Sequence, residues 1–115
     1  MANVSVEDQK LLIKLSPTEK IESLRFHDFA IDISNVVDAY TTQSPFDELS
    51  GLRVGTGIPR VICVGTWYGG RSTMFAAIHG NSTAIVVSLR NEKITKVVAT
   101  IDNAVEIART IRGQI

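Results

Sequence analysis

The residues with the most chemical reach in this sequence are arginines. Between Glu48 and Glu92 there is no acid and no lysine, and the only charges are Arg53, Arg60, Arg71 and Arg90. A guanidinium is a planar fork of donors that suits carboxylate, phosphate or a protein acceptor. The same stretch holds the single tryptophan, Trp67, followed at once by Tyr68. Consecutive strand residues point to opposite faces, so one of the two aromatics belongs to a core and the other to a surface. The exposed one, beside Arg71, would stack on a ligand or anchor an interface. Arg53, Arg60, Trp67, Tyr68 and Arg71 are therefore the candidate interaction surface. The competing reading scatters the arginines to pair with acids elsewhere and uses the aromatics to stiffen a hairpin.

Other chemistries find little support. His27 and His79 lie far apart in the chain, and neither has a second ligand at metal spacing on its own element. Cys63 sits in the apolar run Val61–Val64, which reads as a strand buried on both faces, so a small inert hydrophobe is expected there. Gly55-Thr56-Gly57 lacks the third glycine and the following helix of a dinucleotide fingerprint. Glu22, Asp28, Asp32 and Asp38 read as solvated surface rather than as an acid–base pair. No cofactor, metal site or catalytic residue is expected.

Composition sets the frame for these residues. The chain has 115 residues, of which 44% are hydrophobic and 21% charged, which fits one folded domain. A chain of this length buries roughly two-thirds of its unfolded surface and needs no staple. Twelve bases balance twelve acids, so no global charge argues for nucleic acid. The balance hides two halves: residues 1–50 sum to −5 and residues 51–115 to +5. No signal peptide and no membrane span is recognisable, so a cytoplasmic location is expected.

The elements that must position the arginines follow from periodicity and punctuation. Residues 1–8 read as a loose leader before a single domain over 9–115. Lys10–Leu15 is a strand. Ser16-Pro17-Thr18-Glu19 opens a short helix that runs to about Leu24. Phe29, Ile31 and Ile33 alternate with Ala30 and Asp32, the period of a half-buried strand. Val36–Thr42 is another strand, and Pro45–Leu49 could form one helical turn. Residues 51–60, with three glycines and a proline, read as an ordered loop or irregular edge. Strands follow at Val61–Tyr68, Ser72–His79, Thr83–Leu89 and Ile94–Ile101, with a turn at Gly69-Gly70 between the first two. Arg60 and Arg71 then stand at opposite ends of one strand, roughly 25 Å apart, too far to share a small ligand. At the end of the chain, Ala104, Ile107, Ala108 and Ile111 make one apolar helical stripe over residues 102–112. Asp102 is placed to cap that helix and Gly113 to stop it. The expected fold is mainly β: seven strands in a strongly bent, mostly antiparallel sheet or small barrel, capped by one C-terminal helix.

Seven strands closed by one helix is the order of the pleckstrin-homology-like (PH-like) fold. The chain resembles bacterial PH-like domains over about residues 9–113. The resemblance is carried by Leu15–Leu24, by Ala30-Ile31-Asp32-Ile33-Ser34-Asn35-Val36 and by the closing Val98-Ala99-Thr100-Ile101-Asp102-Asn103-Ala104. Asp32 stands where that family commonly has a proline. The segments Gly51–Gly57 and Gly65–Arg71 resemble a small set of actinobacterial-type proteins of the same architecture. The loop at about residues 16–28 lacks the basic cluster through which some PH domains hold phosphoinositide, so that ligand is not implied. Some bacterial PH-like families self-assemble, which makes a homo-oligomer an expectation.

Three functions are compatible with these features. The first is a non-enzymatic interaction module that binds a protein partner or its own copy. The second is a binder of a small anionic ligand or lipid headgroup at the glycine- and arginine-rich loop. The third is an enzyme of unknown type. The arginine spacing favours the first.

Overall fold

Val4 and Val6 flank Ser5, and Leu11 and Ile13 flank Leu12, so both segments can turn one face to a core. In the computed structural model of this protein, which describes residues 3–15, 29–45, 52–58, 62–69, 72–80 and 83–115, that pattern becomes a three-stranded antiparallel sheet. Its strands are β1 (Asn3–Glu7), β2 (Lys10–Lys14) and β3 (Phe29–Asp32), in that order. The N-terminal residues are thus not a loose leader, because Val4 is buried and β1 pairs with β2 over its full length. Asp8 and Gln9 make the two-residue turn between them, with φ of 51° and 63°. Both angles are left-handed, as a primed hairpin turn requires. The Gln9 carbonyl accepts a hydrogen bond from Ile33 N–H at 2.9 Å. In β3, Phe29 and Ile31 are buried while Ala30 and Asp32 are exposed, as the period of two predicts.

A short 3-10 turn, Ile33–Asn35, carries the chain from β3 into a second sheet. Its strands are β4 (Val36–Thr42), β5 (Leu52–Ile58), β6 (Ile62–Gly69), β7 (Ser72–His79), β8 (Ala84–Leu89) and β9 (Lys96–Thr100). They lie in the order β4-β8-β9-β7-β6-β5. Among the described residues the two sheets stay separate and neither closes on itself, so the expected single bent sheet or barrel is replaced by an open pair. Nine strands are described rather than seven; the two additions are β1 and β5. Among the described residues all pairings are antiparallel except β7 with β9. That exception arises because β8 lands one place beyond β7 and leaves a slot that β9 fills. Gly80, at φ +70°, begins the connection across the end of β9. Thr100, at that end, is 1% exposed, and its hydroxyl accepts the His79 N–H at 3.1 Å.

The core lies between the sheets. Leu11, Ile13, Phe29 and Ile31 of the small sheet meet Phe75, Ile85, Val87 and Val97 of the large one. Phe29 and Phe75 bridge the layers, with ring centroids 4.9 Å apart and planes tilted by 58°. The helix α1 (Ala104–Arg112) closes the core by burying Ala104, Ala108 and Ile111. Ile107, expected on the same stripe, is only half-buried, though it packs against the same cluster. The N-cap is Asn103 rather than Asp102, and no side chain caps the helix. At the other end Gly113 is in right-handed conformation, φ −72°, so it ends α1 without using its left-handed freedom. Glu106 in the first turn and Arg109 and Arg112 in the last complement the helix dipole. The opposite face of the large sheet carries a second buried cluster, which includes Trp67, Met74, Ile78 and Val86. Strands β7 and β8 are thus apolar on both faces, which explains their near-continuous hydrophobic runs.

Candidate functional site

Only part of the candidate surface falls on described side chains. Trp67 is 8% exposed and is the register partner of Met74, so it packs in the second buried cluster. Tyr68 and Arg53 are placed by register: Tyr68 pairs with Leu52 and Thr73, and Arg53 pairs with Trp67. Arg60 and Arg71 lie outside the described residues, as do His27, Asp28 and the expected helix over residues 17–24. Cys63 is placed opposite Gly57 on one side and Ile78 on the other. Arg90, the fourth arginine of the acid-free stretch, has a local task. Its Nε and Nη2 both donate to the Ser34 carbonyl, at 3.0 and 2.8 Å, and its own N–H donates to Asn35 O at 2.8 Å. Asn35 in turn donates to Glu92 at 3.0 Å. These contacts tie the β8–β9 turn to the 3-10 turn that joins the sheets.

The main correction concerns residues 51–60. Leu52–Ile58 is no loop. It is a regular strand, paired residue for residue with β6 from Leu52↔Tyr68 to Ile58↔Ile62. Its alternate glycines, Gly55 and Gly57, are strand positions and not turn signals. This fixes Arg53 at the end of the sheet where β6 and β7 are joined, the end opposite Ile62 and His79. The turn there is also displaced by one position. Gly69 still pairs with Ser72, so the connection is residues 70–71.

The large sheet therefore ends, among the described residues, on two edges, β4 and β5, and they are built differently. An unpaired strand edge presents a row of donors and acceptors that invites another strand, and folded proteins blunt it with bulges, charges or a covering element. Strand β4 carries all three. Its register with β8 slips between Val36 and Asp38, leaving Val37 bulged and 52% exposed. The Ala39 N–H is taken by the Asp38 carboxylate at 2.8 Å, and the Ser44 N–H by the Thr42 hydroxyl at 3.0 Å. Helix α1 lies along the strand, with Arg112 Nε 3.7 Å from the same Asp38 oxygen. Among the described residues, β5 has a strand neighbour on one side only, β6. Its seven residues include one charge, Arg53, no proline and no slip in register.

A cleft of about 420 Å³ lies between β4 and α1, lined by Tyr40, Thr41, Val105, Ala108, Arg109 and Arg112. Its two guanidiniums stand over the last turn of α1, where they offset the carbonyl dipole, and Arg112 also reaches Asp38. Among the described residues, no three of His, Cys, Asp and Glu gather as metal ligands would. No described helix is long and apolar enough to cross a membrane. No family model, curated protein or solved structure matches this chain.

The sequence reading missed the part played by Asp38, which it took for a solvated acid. The one available signal was the Val36-Val37 doublet, which breaks the alternation where the bulge occurs.

Proposed function

We propose that the chain is a non-enzymatic interaction module that binds a protein strand along the edge of β5. The observation that carries this reading is the contrast between the two edges of the large sheet: β4 is blunted three times over, while β5 keeps an unbroken register with β6 and has no second strand neighbour among the described residues. Main-chain hydrogen bonds along such an edge supply affinity, and the alternate side-chain positions supply selectivity. The reading keeps Arg53 and Tyr68 near one end of the contact, where Leu52 pairs with Tyr68. It releases Trp67, which packs in the second cluster. That the module is no enzyme rests on the sequence, which holds no nucleophile–base arrangement. A PH-like scaffold is supported by the run of strands closed by a C-terminal helix. The parallel pair β7–β9 and the additional strands β1 and β5 depart from the seven-stranded order that the resemblance implies.

The test is backbone amide exchange and amide chemical shifts with a panel of capped heptapeptides that alternate apolar and polar residues. Strand addition predicts that some of them slow exchange and shift resonances within Leu52–Ile58 while leaving β4 unchanged. If every peptide at millimolar concentration leaves β5 unchanged, the reading is wrong.

A further inference from the structure

We propose that the cleft between β4 and α1 binds a small phosphate monoester, a phosphoryl head on a compact apolar body. The site is separate from the edge of β5, and neither reading depends on the other.

Four residues of α1 line the cleft: Val105, Ala108, Arg109 and Arg112. They fall at i, i+3, i+4 and i+7, so they make one stripe of the helix. The cleft therefore runs along α1 rather than standing at its end. Tyr40 and Thr41 of β4 make the facing wall. At about 420 Å³ the space is of the size that holds a small molecule.

The stripe is divided by chemistry. Val105 and Ala108 offer an apolar floor, and the two guanidiniums follow toward the last turn of α1. Like charges three positions apart on a helix repel, and an anion between them removes that cost. No acid is among the described residues that line the cleft. The carboxylate beside it, Asp38, accepts the Ala39 N–H at 2.8 Å and stands 3.7 Å from Arg112 Nε, too far for a hydrogen bond. Arg112 thus keeps its donors for another acceptor. Among the described residues no carboxylate is paired with Arg109. Two guanidiniums match the charge of a phosphate monoester, about −1.5 to −2 at neutral pH, and a guanidinium fork fits two of its oxygens.

The test is amide NMR titration of the full chain with phenyl phosphate, inorganic phosphate, benzoate and phenol. Each variant is first checked for folding by its urea transition. Phenyl phosphate is expected to shift the Tyr40, Thr41 and Val105–Arg112 amides along a saturable curve. Inorganic phosphate, which has no apolar body, and benzoate, which has one charge, should bind several-fold more weakly, and phenol should leave these amides unmoved. Arg109→Gln should weaken phenyl phosphate roughly tenfold, the loss of one charge-assisted contact. Asp38→Asn removes the competing charge beside Arg112 and should tighten it roughly twofold, and it keeps the test decisive if the arginine variant does not fold. The proposal is overturned if phenyl phosphate at millimolar concentration moves none of these amides. It is also overturned if inorganic phosphate or benzoate binds as tightly, if Arg109→Gln binds as the parent does, or if Asp38→Asn binds more weakly. Lower stability of Arg109→Gln with no ligand-dependent shift in either protein would leave the arginines with their dipole role alone.

Discussion

Replacing Asp38 tests how β4 is kept from pairing. The Asp38 carboxylate accepts the Ala39 N–H at 2.8 Å and stands 3.7 Å from Arg112 Nε. A hydrogen bond to a charged group is worth about 1.5–3 kcal/mol when buried. Here the side chain is 50% exposed, which places the bond near 1 kcal/mol after solvent screening. The ion pair, exposed on both sides, adds about 0.3 kcal/mol. Asp38→Ala should therefore cost about 1–1.5 kcal/mol, a fall in Tm of roughly 4 °C for a chain of this length. Asp38→Asn keeps an acceptor for Ala39 and loses only the charge, so its cost should be about 0.5 kcal/mol. Urea unfolding at low protein concentration measures both. The alanine variant also leaves the Ala39 N–H without its carboxylate acceptor, so amide exchange at Ala39 should be faster than in the asparagine variant. Equal stability of Asp38→Ala and parent would show that the bond contributes nothing. Equal loss in both variants would assign the effect to the Arg112 pair instead.

Three further outcomes follow from described contacts. Gln9 holds a left-handed φ of 63° that glycine adopts freely, so Gln9→Gly should stabilise the chain by about 0.5–1 kcal/mol, read as a higher Tm. Ile111 is fully buried and Ile107 only half-buried, so Ile111→Ala should cost about 3 kcal/mol and Ile107→Ala about 1 kcal/mol in urea unfolding; the reverse order would mean that α1 is rotated from the described face. Arg90→Ala removes two donors from the Ser34 carbonyl and should cost about 1 kcal/mol, with faster amide exchange at Ile33–Asn35; unchanged exchange there would deny Arg90 its clamping role.

The legible parts of this fold were those where periodicity and punctuation agree. The alternation in Phe29–Asp32, the apolar runs of β6 to β9 and the stripe of α1 are all strong patterns bounded by turn residues. The two missed strands had the pattern without the punctuation. In Asn3–Glu7 the valines alternate, but the turn that follows is Asp8-Gln9, which strains into left-handed geometry without a glycine to announce it. In Leu52–Ile58 the punctuation misled, because Gly55 and Gly57 look like turn residues. Leu52, Val54 and Ile58 nevertheless keep the period of two, and seven register partners on β6 outweigh the weak strand preference of glycine. The parallel β7–β9 pair was not legible at all. It follows from where β8 lands, a tertiary choice that no local segment encodes. Of the candidate surface, Trp67 lies in the second buried cluster, Arg53 and Tyr68 are placed by register on β5 and β6, and Arg60 and Arg71 lie outside the described residues. A backbone edge, on which the proposed interaction rests, is not spelled by residue types.

That distinction bears on how a chain with so little marked chemistry can still be specific. Side chains that carry function leave a compositional trace; a strand edge leaves only the absence of the devices that would hide it. In this protein the two edges of one sheet supply the comparison internally. At β4 a bulge, an acid turned onto its own backbone and a helix alongside close the edge, whereas among the described residues β5 has one strand neighbour, β6, and an unbroken register with it. A plain edge invites another strand and a blunted one turns it away. The acid that closes β4 is therefore the mark by which the two edges of the sheet are told apart.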